Sequence, residues 1–157
     1  MNVLFLCTGN SARSILAEAL LNARAEGRLK AWSAGSHPKG EVHPLALEVL
    51  HTCDIPSVGL RSKSWDEFAG KDAPHMDVVI TVCDQAAAEA CPLWPGAPVK
   101  VHWGLPDPAA AQGSEAERLA AFAAAFTTIE KRIELLLILP LEHLSSDELQ
   151  GQLSAVR

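Results

Sequence analysis

Apolar residues recur along the chain with two alternating periods. Val3 to Leu6 is a short unbroken apolar run, as in a strand buried on both faces. Ile15, Leu16, Ala19, Leu20 and Ala23 follow at helical spacing, and Gly27 is a stop signal. Leu29 to Trp32 reads as a second strand, and His43 to His51 as a helix with Leu45, Val49 and Leu50 inward. Asp77 to Val82 (DVVITV) is the strongest strand pattern in the chain, and Val99 to His102 is a shorter one. Ser114 with Glu117 makes a capping-box pattern. Leu119, Phe122, Phe126, Ile129, Ile133 and Leu136 then step by three and four along a long helix that Pro140 ends.

Strands alternating with helices predict an α/β fold. The expected architecture is a single doubly wound domain, residues 1–139, with a four-stranded parallel sheet flanked by helices. Residues 140–157 read as a helical extension, with Ser145-x-x-Glu148 as its start and Leu149 and Leu153 on one face. It either packs on the domain or makes a dimer contact, so the expected state is monomer or weak dimer. In open α/β sheets ligands sit at the carboxyl ends of the strands. Here those ends run into Cys7, into Ser33-Ala34-Gly35, into Cys83, and into His102-Trp103-Gly104 followed by Asp107. Two cysteines, an aspartate flanked by Pro106 and Pro108, and several small residues are thus expected on one sheet edge.

Charge and cysteine content narrow the chemistry. The 157 residues carry a net charge of −6, which argues against a general nucleic-acid or anionic-membrane binder. The longest greasy stretch, Leu135 to Leu139, is too short to span a bilayer, and the first residues lack the basic start of a secretory segment. The expected compartment is the cytoplasm, with no membrane partner. Four cysteines are too sparse for a disulfide scaffold, so in a reducing setting they are free, catalytic or metal-binding. Cys83 and Cys91 lack the paired spacing of a zinc site, and the six histidines form no metal pattern.

The segment Cys7-Thr8-Gly9-Asn10-Ser11-Ala12-Arg13-Ser14 lies between the first strand and its helix. Gly9, and Asn10 with its tolerance of unusual backbone angles, let consecutive amides turn inward. The helix start adds free N–H groups, and Arg13 a planar fork for a tetrahedral oxyanion. A thiol placed there feels the helix terminus and Arg13 together, which predicts a Cys7 pKa lowered from about 8.5 to roughly 4–7. Cys7 is therefore the expected nucleophile.

This loop resembles the signature of the low-molecular-weight tyrosine phosphatase superfamily, and Asp107-Pro108 resembles its general-acid loop. The resemblance covers about residues 1 to 138. Val82-Cys83-Asp84-Gln85-Ala86-Ala87-Ala88-Glu89-Ala90-Cys91-Pro92 further resembles the redox segment of thioredoxin-coupled arsenate reductases, as does His102-Trp103-Gly104. That resemblance implies reduction of arsenate to arsenite by a relay: Cys7 attacks arsenate, Cys83 attacks Cys7, Cys91 attacks Cys83, and thioredoxin opens the last disulfide. It implies loop contacts from Thr8, Gly9, Asn10, Ser11, Ala12, Arg13 and Ser14, with Asn10 and Ser14 bracing the loop, and Asp107 as acid. It also implies a potassium site at Asn10, Glu18 and Ser33, although Glu18 by itself reads as a solvated helix residue.

The resembled family places six residues between its second and third cysteines, whereas this chain places seven between Cys83 and Cys91. Eight helical steps span about 12 Å, but a disulfide needs Cα atoms roughly 4.4 to 6.8 Å apart. A Cys83–Cys91 bond therefore requires this segment to loop or unwind, and a glutathione–glutaredoxin route through Cys7 and Cys83 alone stays open. The alternatives in function are phosphomonoester hydrolysis and a non-catalytic oxyanion-binding regulator. The phosphatases resembled here follow Asp-Pro with aromatic residues; this chain has Ala109 and Ala110, and no tyrosine anywhere. Cys53 reads as a small buried or half-buried thiol, and His102 as a residue that shapes the acid loop.

Overall fold

The computed structural model describes residues 1–84, 86 and 98–156. Among them β1 (Asn2–Cys7), β2 (Lys30–Gly35), β3 (Val78–Thr81) and β4 (Val99–His102) form one parallel sheet in the order β2-β1-β3-β4. The described helices are α1 (Arg13–Arg24), α2 (Pro44–Thr52), α3 (Glu115–Leu137) and α4 (Ser146–Ser154). The chain winds outward from β1 to β2, then back past β1 to β3 and β4. The order reverses between β1 and β3, and that is where a doubly wound sheet opens a crevice. Cys7 ends β1 and Cys83 lies two residues beyond β3, so both thiols flank that crevice.

The unbroken apolar run of β1 is explained by burial on both faces. Val3, Phe5 and Cys7 join the main core with residues of α1, α2 and α3. Leu4 and Leu6 face a smaller core with Ala34, Phe68, Met76 and Val79. A short 3₁₀ turn, Trp65–Phe68, supplies Phe68 to that side and was not foreseen from the sequence pattern.

Two boundaries differ from expectation for a physical reason. β2 runs to Gly35 because Ser33, Ala34 and Gly35 pair with Phe5, Leu6 and Cys7 of β1, whatever their own strand preference. His43 precedes α2 as its cap, with Nδ1 accepting from Leu45 N at 3.1 Å. The Ser114–Glu117 capping box is present at the start of α3.

The tail packs on the domain. In α4, Leu149 and Leu153 are buried in the main core. Gln150 Nε2 donates to Lys100 O of β4 at 2.7 Å, and Trp103 Nε1 donates to Leu153 O at 2.9 Å. Among the described residues no helix is long and apolar enough to cross a membrane.

Candidate active site

The Cys7 loop is held from outside by its own carbonyls. Thr8 O accepts from His37 N, Gly9 O from Lys39 N and Ser11 O from His43 N, each at 2.9 Å. With these carbonyls drawn outward, the intervening amides are left facing the loop interior. Asn10 takes a left-handed conformation, φ 44°, as its residue type permits. Ala12 caps α1 without a side-chain bond, and the first turn of α1 carries no acidic residue. Its free N–H groups and positive dipole end are therefore available to an anion. The loop floors a cleft of about 500 Å³ whose walls include Arg13, His37, Lys39, Cys83 and Asp107.

Close packing beneath the loop makes Gly35 sensitive. A Cβ there would stand 2.5 Å from Thr8 O and 3.0 Å from Asn10 Cβ. Gly35→Ala is expected to cost about 1–3 kcal/mol in urea unfolding and to weaken phosphate binding as the loop shifts. Unchanged stability and binding would contradict this packing.

Arg13 is largely buried and directed across the cleft. Its Nη1 donates to Leu105 O at 3.0 Å, and Nη2 lies 3.7 Å from Asp107 Oδ2. Arg13 Nε is buried and has no hydrogen-bond partner among the described residues. Asp107 Oδ1 accepts from Ala109 N at 3.0 Å, where Pro108 opens the 3₁₀ turn Pro108–Ala110. Its side chain keeps 41% exposure, leaving it reachable by solvent and by a ligand in the cleft.

The two thiols are both buried and line the same cleft, where each shifts the ionisation of the other. Thr8 Oγ1 lies 3.5 Å from Cys83 Sγ, and Ala86 N donates to that sulfur at 3.4 Å. The hydrogen bond from Cys7, then those from Thr8 and Ala86, lower the Cys83 thiol to about 5 against the cost of burial. The bond to Cys83 and burial raise Cys7, while Arg13 pulls it down. The expectation of an independently lowered Cys7 is thus corrected. The two sulfurs ionise as a pair, with Cys83 the more acidic side.

The anion is present above about pH 5 and lost as pH falls through that value. Site-resolved alkylation of Cys7 and Cys83, read by mass spectrometry, is expected to rise through about pH 5 for one sulfur of the pair. A single rise near about 8.5, the value of an ordinary thiol, would contradict the coupling.

Beneath the loop lies a polar network that sequence reasoning only partly anticipated. Asn10 Nδ2 donates to Ser14 Oγ at 2.8 Å and to Ser33 Oγ at 3.0 Å. Ser33 Oγ donates to Glu18 Oε1 at 2.8 Å. Asn10 Oδ1 accepts from Lys63 N at 2.9 Å. Glu18 is buried, not a solvated helix residue, because Lys63 Nζ meets its Oε1 at 3.4 Å. The expected potassium set of Asn10, Glu18 and Ser33 therefore does not fit a free ion. The Ser33 proton and the Asn10 oxygen are already engaged, and an ammonium stands against the carboxylate.

Lys63 was missed because Leu60 to Ser64 has no period or motif; the bridge of Ser64 to Gly35 brings it in. His102 packs against Gly104, which leads into the acid loop. Its Nδ1 lies 2.8 Å from Thr81 Oγ1 and its Nε2 2.8 Å from Asp84 Oδ1, so it ties the end of β3 to the residue after Cys83. Cys53 is exposed, at the C-terminal cap of α2, and not the buried thiol expected. Cys91 lies outside the described residues.

A cysteine-bearing loop with inward amides and an arginine, at the first strand–helix turn of a doubly wound sheet, defines a phosphatase-like class. The chain belongs to the low molecular weight phosphotyrosine protein phosphatase family, whose model matches residues 2–150. It is 36% identical over 132 residues to an arsenate reductase of Halalkalibacterium halodurans, a match spanning 84% of this chain and 91% of that protein. The fold is similar to an arsenate reductase of Archaeoglobus fulgidus, with TM-score 0.67 and 28% identity, over 86% of this chain and 98% of that one. A thioredoxin-dependent arsenate reductase of Corynebacterium glutamicum matches with TM-score 0.56 and 28% identity, over 86% of this chain and 62% of that one.

Proposed function

We propose that this protein reduces arsenate to arsenite with electrons from its own thiols, which an external thiol reductant then restores. The observation that carries this reading is the Cys7–Cys83 pair itself: a second buried thiol lining the same cleft as Cys7 and shifting its ionisation. Hydrolysis needs one thiol, whereas reduction needs two.

Arsenate enters the loop and takes hydrogen bonds from its amides and from Arg13, whose Nε has no other partner among the described residues. Proton transfer along the thiol pair puts the charge on Cys7, and its sulfur attacks arsenic. Asp107, within reach of Arg13 at the mouth, protonates the departing oxygen, which leaves as water. The product is a Cys7 sulfur–arsenic(V) adduct. Cys83, which took the proton from Cys7, gives it up to solvent, and its thiolate, stabilised by Thr8 and the Ala86 N–H, then attacks the Cys7 sulfur. The sulfur–arsenic bond breaks, its electron pair stays on arsenic, and arsenite departs. Two thiols have become one disulfide, which balances the two electrons gained by arsenic.

The relatives support a thiol reductant. Thioredoxin, with Cys91 as the thiol that takes over the disulfide, is the preferred route, and glutathione with glutaredoxin the alternative. The aryl-phosphatase reading is weakened by Ala109 and Ala110, which give the acid loop no aromatic wall.

The test is arsenite production with thioredoxin, thioredoxin reductase and NADPH, beside hydrolysis of an aryl phosphate. Arsenate-dependent NADPH oxidation is expected. Fast phosphate-ester hydrolysis without arsenite formation would overturn the reading.

A further inference from the structure

The Cys7 loop rests on a buried positive charge that belongs to the chain. Lys63 is 7% exposed and Glu18 8%, and nothing in the proposed reaction uses either. From their ion pair a chain of contacts runs upward: Glu18 Oε1 to Ser33 Oγ, Ser33 Oγ to Asn10 Nδ2, and Asn10 Nδ2 to Ser14 Oγ in the first turn of α1. The Lys63 backbone joins at two further points. Its N–H donates to Asn10 Oδ1 at 2.9 Å, and its carbonyl accepts from Gly35 N at 2.9 Å. Asn10 is the loop residue with the strained, left-handed backbone, so whatever fixes its side chain fixes the loop.

An ammonium is a compact point charge, close in size to a potassium ion. Lys63 Nζ donates to Glu18 Oε1 at 3.4 Å and to Arg61 O at 3.0 Å, a carboxylate and a carbonyl of the kind that would ligate an alkali cation. A cleft lined by Glu18, Lys63, Lys30 and Trp32 opens on this pair from the side away from Cys7, so solvent ions can approach it. They meet a place already filled.

We propose that the Lys63 ammonium serves as a tethered internal cation beneath the Cys7 loop, holding Glu18 and through it Ser33 and Asn10, and so makes oxyanion binding independent of potassium. Lys63 is a positioning residue. A buried carboxylate that loses its partner is left uncompensated, and its bond to Ser33 would no longer be held in one geometry. The inference rests on reading the Cys7 loop as an oxyanion site.

The test uses inorganic phosphate as probe and measures its affinity and the thermal midpoint in potassium chloride and in tetramethylammonium chloride at matched ionic strength. Wild-type protein is expected to give the same affinity and midpoint in both salts. Lys63→Met is expected to bind phosphate about tenfold more weakly and to melt roughly 10 °C lower. Glu18→Gln added to Lys63→Met removes the stranded charge, and is expected to recover affinity to within about twofold. A packing role for Lys63 would not give that recovery.

Potassium that raises wild-type affinity or midpoint overturns the proposal, as does a Lys63→Met protein unchanged in both, or a double variant no better than the single one. If Lys63→Met does not fold, the wild-type salt comparison and the double variant still decide. Wild-type protein that binds no phosphate overturns the oxyanion-site reading, while the midpoints continue to report on Lys63.

Discussion

Replacing Cys7 with serine is expected to cut arsenate turnover by at least about a thousandfold and to leave the fold standing. Serine keeps nearly the same size, but its hydroxyl stays protonated where the Cys83 thiol ionises at about 5. The loop amides and Arg13 are untouched, so phosphate affinity is expected to persist while turnover disappears. That split separates loss of chemistry from loss of the site. Turnover within about tenfold of wild type would show that the attacking group lies elsewhere.

Cys83→Ser carries the second large effect. Cys83 lines the cleft with Cys7, and Thr8 and the Ala86 N–H stabilise its anion. Without it, arsenic can be captured on Cys7, but among the described residues the cleft offers no second thiol to break the sulfur–arsenic bond. Turnover with the thioredoxin system is expected to fall at least about a hundredfold. Phosphate affinity, which depends on the loop, is expected to stay close to wild type. A Cys83→Ser protein that still turns over arsenate would remove Cys83 from the relay and leave the electrons to come directly from an external thiol. The contrast between the two variants is informative because both leave the loop amides in place.

The sheet and its ligand edge were legible in the sequence because they depend on short-range signals. The apolar run of β1, the Ser114–Glu117 capping box and the small residues around Cys7 each act within a few positions, and strand ends alone brought Cys7, Cys83 and Asp107 together. What escaped depends on contacts between distant segments. Glu18 reads as a surface residue on its helix until Lys63, 45 positions later, is laid against it. The same contact removed the room for potassium that resemblance implied. The pKa of Cys7 was misjudged because helix and arginine effects are visible in the local string, whereas the partner that raises it sits 76 positions on. Cys53 failed for the opposite reason. Its neighbours Leu50 and Ile55 are buried, but the turn that closes α2 points residues 51–54 outward.

The central claim is that Cys7 and Cys83 together deliver two electrons to a bound arsenic. The most direct measurement mixes reduced protein with arsenate in the absence of any external reductant, then counts arsenite formed and thiols remaining, with the disulfide located by peptide mass. The expected result is one arsenite per protein and the loss of two thiols, beginning with a Cys7–Cys83 bond that is trapped when Cys91 is replaced by serine. Arsenate that binds yet leaves every thiol titratable and no arsenite in solution would contradict the account.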